Sequence, residues 1–184
     1  HQVWVPLMCG AAAVDYGEAH VKAGIKDEAE LKAVLSMEGA YQAANAFKLL
    51  RYLDWWKMEP HREFVLVDSE VPRLQELALN PNPYCLAEPG NKYLVYLMGN
   101  LAGNLTLTGL QGKEYLARWY DPRRDLFIDI NSGNPVNTEK EESWTIPQRP
   151  SPAIQDWLLI LDSEINKARP GGLIDQCTES TEQA

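Results

Sequence analysis

Apolar residues recur at helical spacing through the first third of the chain and gather into short runs further on. The stretch "DEAELKAVL" starts at Asp27, carries acids in its first turn and sets Ala29, Leu31 and Val34 behind them, which predicts a helix from Asp27 onward. In "SMEGAYQAANAFKLLRYLDWW" the apolar positions Met37, Ala40, Ala44, Phe47 and Leu50 fall on a helical stripe, with Ser36 as the expected N-cap. Pro60 ends that helix, and a short amphipathic helix is expected at 72–79, before the breaker cluster "NPNPY". Ahead of all of these, residues 3–13 are apolar and rich in small side chains. That run predicts a buried strand closed by a tight turn at Gly10.

From Tyr84 the pattern changes. The segments "KYLVYLM", "NLTLTGL", "EYLARWY", "DLFIDI", "SWTIP" and "DWLLIL" are short, β-branched or aromatic, and punctuated by Gly, Asn and Pro, as in a small antiparallel sandwich. Strands follow helices without alternating with them, so the predicted class is α+β with two units. These are a helical part over residues 1–80 and a β-sandwich over 81–165, followed by a polar, disordered tail over 166–184.

The stretch "RWYDPRRDLF" raises the sharpest question of the second half. Asp121-Pro122 predicts a turn between two strands, whereas exposed aromatics with arginines would suit a platform for carbohydrate or protein. Trp144 and Trp157 admit the same two readings. The hairpin reading is preferred. On alternating strands Tyr115, Ala117 and Trp119 share one face, and Leu116, Arg118 and Tyr120 the other. The charge of Arg118 marks its face as solvent-facing, so Trp119 is predicted in the core and Tyr120 on the outer surface beside Arg123. The paired tryptophans of "LDWWKMEP" are expected to pack at a domain interface.

Composition narrows the function classes. A net charge of −9 over 184 residues disfavours nucleic acid and anionic membrane surfaces as partners, and no run approaches the ~20 apolar residues of a membrane span. The start "HQVWVPLMCG" has no basic leader and begins at His, as if cut from within a folded unit. Cys9, Cys85 and Cys177 allow at most one disulfide. His1, His20 and His61 are scattered, so neither a metal site nor a cofactor is called for. Asn104 begins an "NLT" glycosylation triplet, and "EKEES" reads as a solvated loop. In "WVPLMCGAAAVDYGEAH" a strand running into Asp15, Tyr16 and Glu18 fits either an ordinary strand-to-loop junction or a barrel strand reaching an active-site face. Trp4, Asp15 and Tyr16 are the candidates for substrate contact.

Taken in order, these stretches resemble the C-terminal end of apiosidase-like glycoside hydrolases, (β/α)8-barrel proteins that close with a small sandwich labelled "putative collagen-binding domain of a collagenase". The family's W-x-x-L-x-x-G-A-x-G-x-x-Y-G pattern is matched by Trp4, Leu7, Gly10, Ala11, Tyr16 and Gly17. Its "PGA-Q" and "WW-x-L-x-P" segments are echoed by "EGAYQAANAFKLL" and "DWWKMEP". Its sandwich motifs are matched by residues 93–97, 119–123 and 156–161. Where relatives carry Gly followed by His or an aromatic, this chain has Ala13 and Val14, and Asp15 replaces a small hydroxyl residue. The resemblance implies the last strand and helices of a TIM barrel followed by the sandwich, in an extracellular or periplasmic protein acting on carbohydrate. It also implies that a second polypeptide or upstream sequence supplies the rest of the barrel. Such hydrolysis needs two carboxyl groups about 5–10 Å apart, and the family's pair would lie upstream of His1, so no catalytic residue is assigned within the chain. A non-catalytic module that docks a polysaccharide, an extracellular protein or a partner subunit is the alternative.

Overall fold

A computed structural model describes residues 2–14, 24–68, 83–99, 103–138, 142–151 and 155–164. Among the described residues three α-helices come first: α1 (Trp4–Met8), α2 (Glu28–Leu35) and α3 (Glu38–Tyr52). Helix α2 begins as its sequence predicts, with the Asp27 side chain accepting a hydrogen bond from the Glu30 amide at 2.8 Å. That contact satisfies one of the unpaired N–H groups of the first turn. Ser36 is not the cap of α3. It closes α2 instead, its hydroxyl donating back to the Ala33 carbonyl at 2.8 Å, and Met37 holds the N-cap position of α3 without a side-chain bond.

The buried stripe of α3 is Ala43, Ala46, Leu49 and Leu50, continued by Leu53. It lies one position off the expected stripe, of which only Leu50 is buried. Alanines let the helix approach a flat surface closely, so the small side chains and not Phe47 mark the packed face. The strand expected at 3–13 is also overturned, because residues 4–8 are helical. An uninterrupted apolar run does not distinguish strand from helix. Here the burial of Trp4, Leu7 and Met8 follows helical spacing, and Cys9 donates to the Val5 carbonyl at 3.1 Å. The turn at Gly10 does form, with φ of +89°.

The strands, all paired antiparallel, make two sheets. The larger runs β1 (Glu59–Pro60), β3 (Tyr84–Glu88), β4 (Lys92–Leu97), β10 (Trp157–Asp162), β6 (Glu114–Asp121) and β7 (Leu126–Asp129), with β8 (Val136–Asn137) also on β6. The smaller runs β2 (Val65–Val67), β5 (Leu105–Thr108) and β9 (Ser143–Ile146). All six predicted strand segments are present. Four more, over 59–60, 65–67, 84–88 and 136–137, lie where no strand is predicted, and the helix expected at 72–79 falls outside the described residues.

The last strand, β10, sits centrally between β4 and β6. Every one of its residues is buried, which is why "WLLILD" shows no apolar–polar alternation. One face of the large sheet (Tyr93, Val95, Trp119, Leu159) packs on Val65, Leu107 and Ile146 of the small sheet. The opposite face (Leu94, Tyr96, Tyr120, Leu158, Ile160) packs on Trp4, Leu7, Ala46 and Leu50 of the helices. The large sheet is therefore a middle layer, apolar on both sides.

That layering corrects two expectations. Tyr120 is fully buried and Arg118 is 8 % exposed, although Trp119 takes the core place predicted for it. Alternation assigns the two faces of β6 correctly, but helices cover the face that a two-layer sandwich would leave in water. A charge so enclosed needs a partner. Arg118 lies opposite Asp129 in register, with Nε 3.3 Å from Oδ1.

Candidate functional site

The "WYDPRRDLF" hairpin forms one wall of a groove. Strand β6 ends at Asp121, residues 122–125 turn, and β7 begins at Leu126, directly opposite Asp121. Asp125 absorbs the reversal with φ of 53°, a left-handed conformation that Asp adopts more readily than most residues. Asp121 is 2 % exposed, and its carboxylate is used up locally. Its Oδ1 accepts from the Arg123 amide at 3.0 Å and from Arg123 Nε at 2.7 Å, while Oδ2 accepts from Nη2 at 2.7 Å. This two-point clamp holds the guanidinium rigid. The same guanidinium lies 5.7 Å from the centre of the Trp157 ring, within range of a cation–π attraction.

The groove has a volume of about 340 Å³. The hairpin supplies Asp121, Arg123, Arg124, Leu126 and Ile128, and the segment leading into β10 supplies Pro150, Ser151, Gln155 and Trp157. Trp157 is buried, its ring edge-to-face with Trp119 at 6.4 Å, and its Nε1 has no hydrogen-bond acceptor. The lining thus combines polar side chains with the apolar Leu126, Ile128, Pro150 and Trp157. Arg123 belongs to the hairpin singled out by sequence, but the facing residues Pro150 and Gln155 lie in irregular backbone and carry no periodic signal.

The other residues singled out by sequence fall elsewhere. Trp4 is 5 % exposed, its ring stacked on Tyr96 with centroids 6.0 Å apart. Asp15 and Tyr16 lie outside the described residues, as do His1, His20 and Cys177. Of the paired tryptophans, Trp55 packs against the helix–sheet core, whereas Trp56 is exposed. Trp144 is half-buried against the inter-sheet core. Asn104 is held by Asp68, which accepts from its Nδ2 at 2.6 Å and from its amide at 2.7 Å. His61 stacks on Phe64 at 4.4 Å, and its Nδ1 lies 2.8 Å from Glu63, whose carboxyl is held below the usual range by that bond. Among the described residues no group of three or more His, Cys, Asp and Glu is placed to hold a metal ion. No helix among them is long and apolar enough to cross a membrane.

A mixed fold of helices on antiparallel sheets, with a groove at one hairpin end, defines a sandwich module with helical cover. Residues 74–162 match the family described as "Putative collagen-binding domain of a collagenase", so the resemblance read from the sequence stands for that span. Among solved structures, one titled "Glycoside hydrolase" aligns with a TM-score of 0.56 at 12% identity, covering 84% of this chain and 31% of its own. A glycoside hydrolase family 5 structure from Bacteroides vulgatus ATCC 8482 aligns with a TM-score of 0.53 at 14% identity, covering 71% of this chain and 25% of its own. This chain therefore spans about a third or less of the length of those proteins. No curated protein matches the sequence.

Proposed function

We propose that the chain is the C-terminal portion of a carbohydrate-active, glycoside hydrolase-like protein. In this reading residues 1–80 complete a TIM-barrel-like domain and residues 81–165 form an accessory β-sandwich. A second polypeptide or upstream sequence supplies the rest of the barrel, its strands included, since residues 4–8, expected within its last strand, are helical. The observation that carries the reading is the alignment of most of this chain with a minor part of a glycoside hydrolase. The surface of α2 supports it: Leu31 and Leu35, one helical turn apart, are 39% and 60% exposed. Large apolar side chains left open on one helix face mark a surface built to meet something else. Asp15 and Tyr16 are the positions of this chain proposed to reach substrate, while Trp4, the third candidate, is buried against Tyr96. The proposed setting is extracellular or periplasmic.

Native mass spectrometry of the protein from its source tests this. The expected result is a mass well above that of this chain, from a covalent extension or a co-purifying partner, since a TIM barrel takes about 250 residues. A stable monomer of this chain alone would overturn it. Assayed alone on glycosides, the chain is expected to be inactive, because acid and nucleophile must both be present at the right spacing. Turnover that disappears on Asp15→Asn would make Asp15 catalytic.

A second reading, a non-catalytic binding module, is favoured by the groove beside Arg123 and by the family's own description. Retained affinity for polysaccharide or protein in the isolated chain, with no partner found, would select it.

A further inference from the structure

We propose that the groove between the 122–125 turn and the segment before β10 is a sugar-acid site that takes one hexuronate ring. The charge of its lining is the first observation. Two guanidinium groups, Arg123 and Arg124, stand there with one carboxylate, Asp121. Both oxygens of Asp121 are taken by Arg123. The lining is thus net positive on a chain whose formal charge is −9.

Donor inventory is the second observation. Arg123 spends Nε–H and one Nη2 hydrogen on Asp121, and a guanidinium carries five N–H donors in a fixed fork. Its other hydrogens have no acceptor among the described residues, and neither does the side chain of Arg124. The Gln155 carboxamide is likewise unengaged, and Trp157 Nε1 is buried without an acceptor. A site rich in unspent donors and poor in free acceptors selects a ligand that is anionic and rich in oxygen acceptors. The clamp on Arg123 means that little side-chain freedom is lost when the ligand arrives.

Shape is the third. Leu126, Ile128 and Pro150 give the groove an apolar side, so the ligand needs a non-polar face as well. A pyranose uronate combines a C–H face, a rim of hydroxyl oxygens and a carboxylate. A flexible acidic side chain offers the carboxylate without the rigid face. The volume of about 340 Å³ lies at the low end of small-molecule sites, roughly 300–1,000 Å³, which suits a single ring. The choice of a saccharide over other acidic rings rests on the carbohydrate-active reading above.

The test is calorimetric titration of the protein with glucuronate, glucose and an oligoglutamate peptide, at low and high salt, repeated on Arg124→Gln. Arg124 is exposed, so the variant should melt with the wild type. Glucuronate is expected to bind at low salt, glucose at least about tenfold more weakly, and Arg124→Gln to weaken glucuronate by about tenfold, the scale of one charge-assisted hydrogen bond. Added salt should weaken glucuronate binding through screening. Glucose binding as well as glucuronate, unaffected by Arg124→Gln, would overturn the acid selectivity while leaving carbohydrate binding standing. Oligoglutamate binding more tightly than glucuronate would make the groove a peptide site and overturn the saccharide. Failure of all three probes would overturn the site altogether, and the barrel-completing reading would still be decided separately by the native mass.

Discussion

Tyr120 donates its hydroxyl hydrogen to Oδ1 of Asp125 at 2.9 Å, across the end of the hairpin that "WYDPRRD" builds. The other oxygen of Asp125 takes an ion pair from Lys48 of α3, and Asn45 of the same helix donates to the Pro122 carbonyl at 3.2 Å. The hairpin end is thereby tied to the helical layer, and the ring of Tyr120 fills the space between them, 4.8 Å from Phe127.

Removing that ring should be costly. Tyr120→Ala is expected to destabilise the protein by about 3–5 kcal/mol, through lost burial and an unfilled cavity. Tyr120→Phe keeps the packing and gives up the bond to a carboxylate, at about 1.5–3 kcal/mol. Urea melts of the two variants check the order. A wild-type midpoint for Tyr120→Ala would contradict the burial of this residue.

Trp119→Ala should cost a similar amount, about 3–5 kcal/mol, because Trp119 fills the inter-sheet core on the other face of the same strand, edge-to-face with Trp157. That is a large part of the ~5–15 kcal/mol that holds a domain folded. Thermal melts of Trp119→Ala and Tyr120→Ala are expected to fall together. A loss confined to Trp119→Ala would mean that one face of β6 lies in water.

Alkaline pH should unfold the protein cooperatively. Burial pushes the hydroxyls of Tyr93, Tyr96 and Tyr120 well above their usual value of 10.0, with carboxylates adding to the shift at Tyr96 and Tyr120. A folded pKa above the unfolded one contributes stability that is complete below pH 10 and is lost as pH rises past it. Tyrosinate absorbance should therefore show an early phase from exposed tyrosines and a late one coinciding with the loss of circular dichroism. A single smooth titration, finished while the fold is intact, would rule this out.

The thiols should differ in reactivity. Cys85 is buried in the inter-sheet core, and burial pushes its thiol upward, while Cys9 is exposed. Thiolate is the nucleophile, so an alkylating reagent followed by peptide mapping is expected to label Cys9 in the native protein and Cys85 only after denaturation. Equal labelling of the two in native buffer would count against the sandwich core.

Asp27→Ala tests the local helix signal. Losing the side-chain bond to the Glu30 amide should cost about 0.5–2 kcal/mol. Asp27→Asn, which can still accept that bond, should recover most of it. Chemical denaturation of both variants separates capping from charge.

Features that depend on neighbours in sequence were legible from the chain itself. Alternation and turn chemistry placed the strands over 92–97, 105–108, 114–121, 126–129, 143–146 and 157–162, and put Trp119 and Tyr120 on opposite faces of one of them. Asp27 could be read as a cap because its partner is three residues away. Cover, by contrast, comes from elements distant in sequence. Whether the second face of β6 meets water or protein depends on α1 and α3, whose residues lie far from it along the chain, and so Tyr120 and Arg118 were misplaced. The same tertiary contact chose Ala43 and Ala46 over Phe47 as the packed stripe of α3. An unbroken apolar run such as 4–8 carries no period of its own, so packing decided that it is a helix. The groove likewise needed the third dimension: "WYDPRRDLF" supplies one wall, but Pro150 and Gln155 reach it only because β10 returns to the centre of the sheet beside β6.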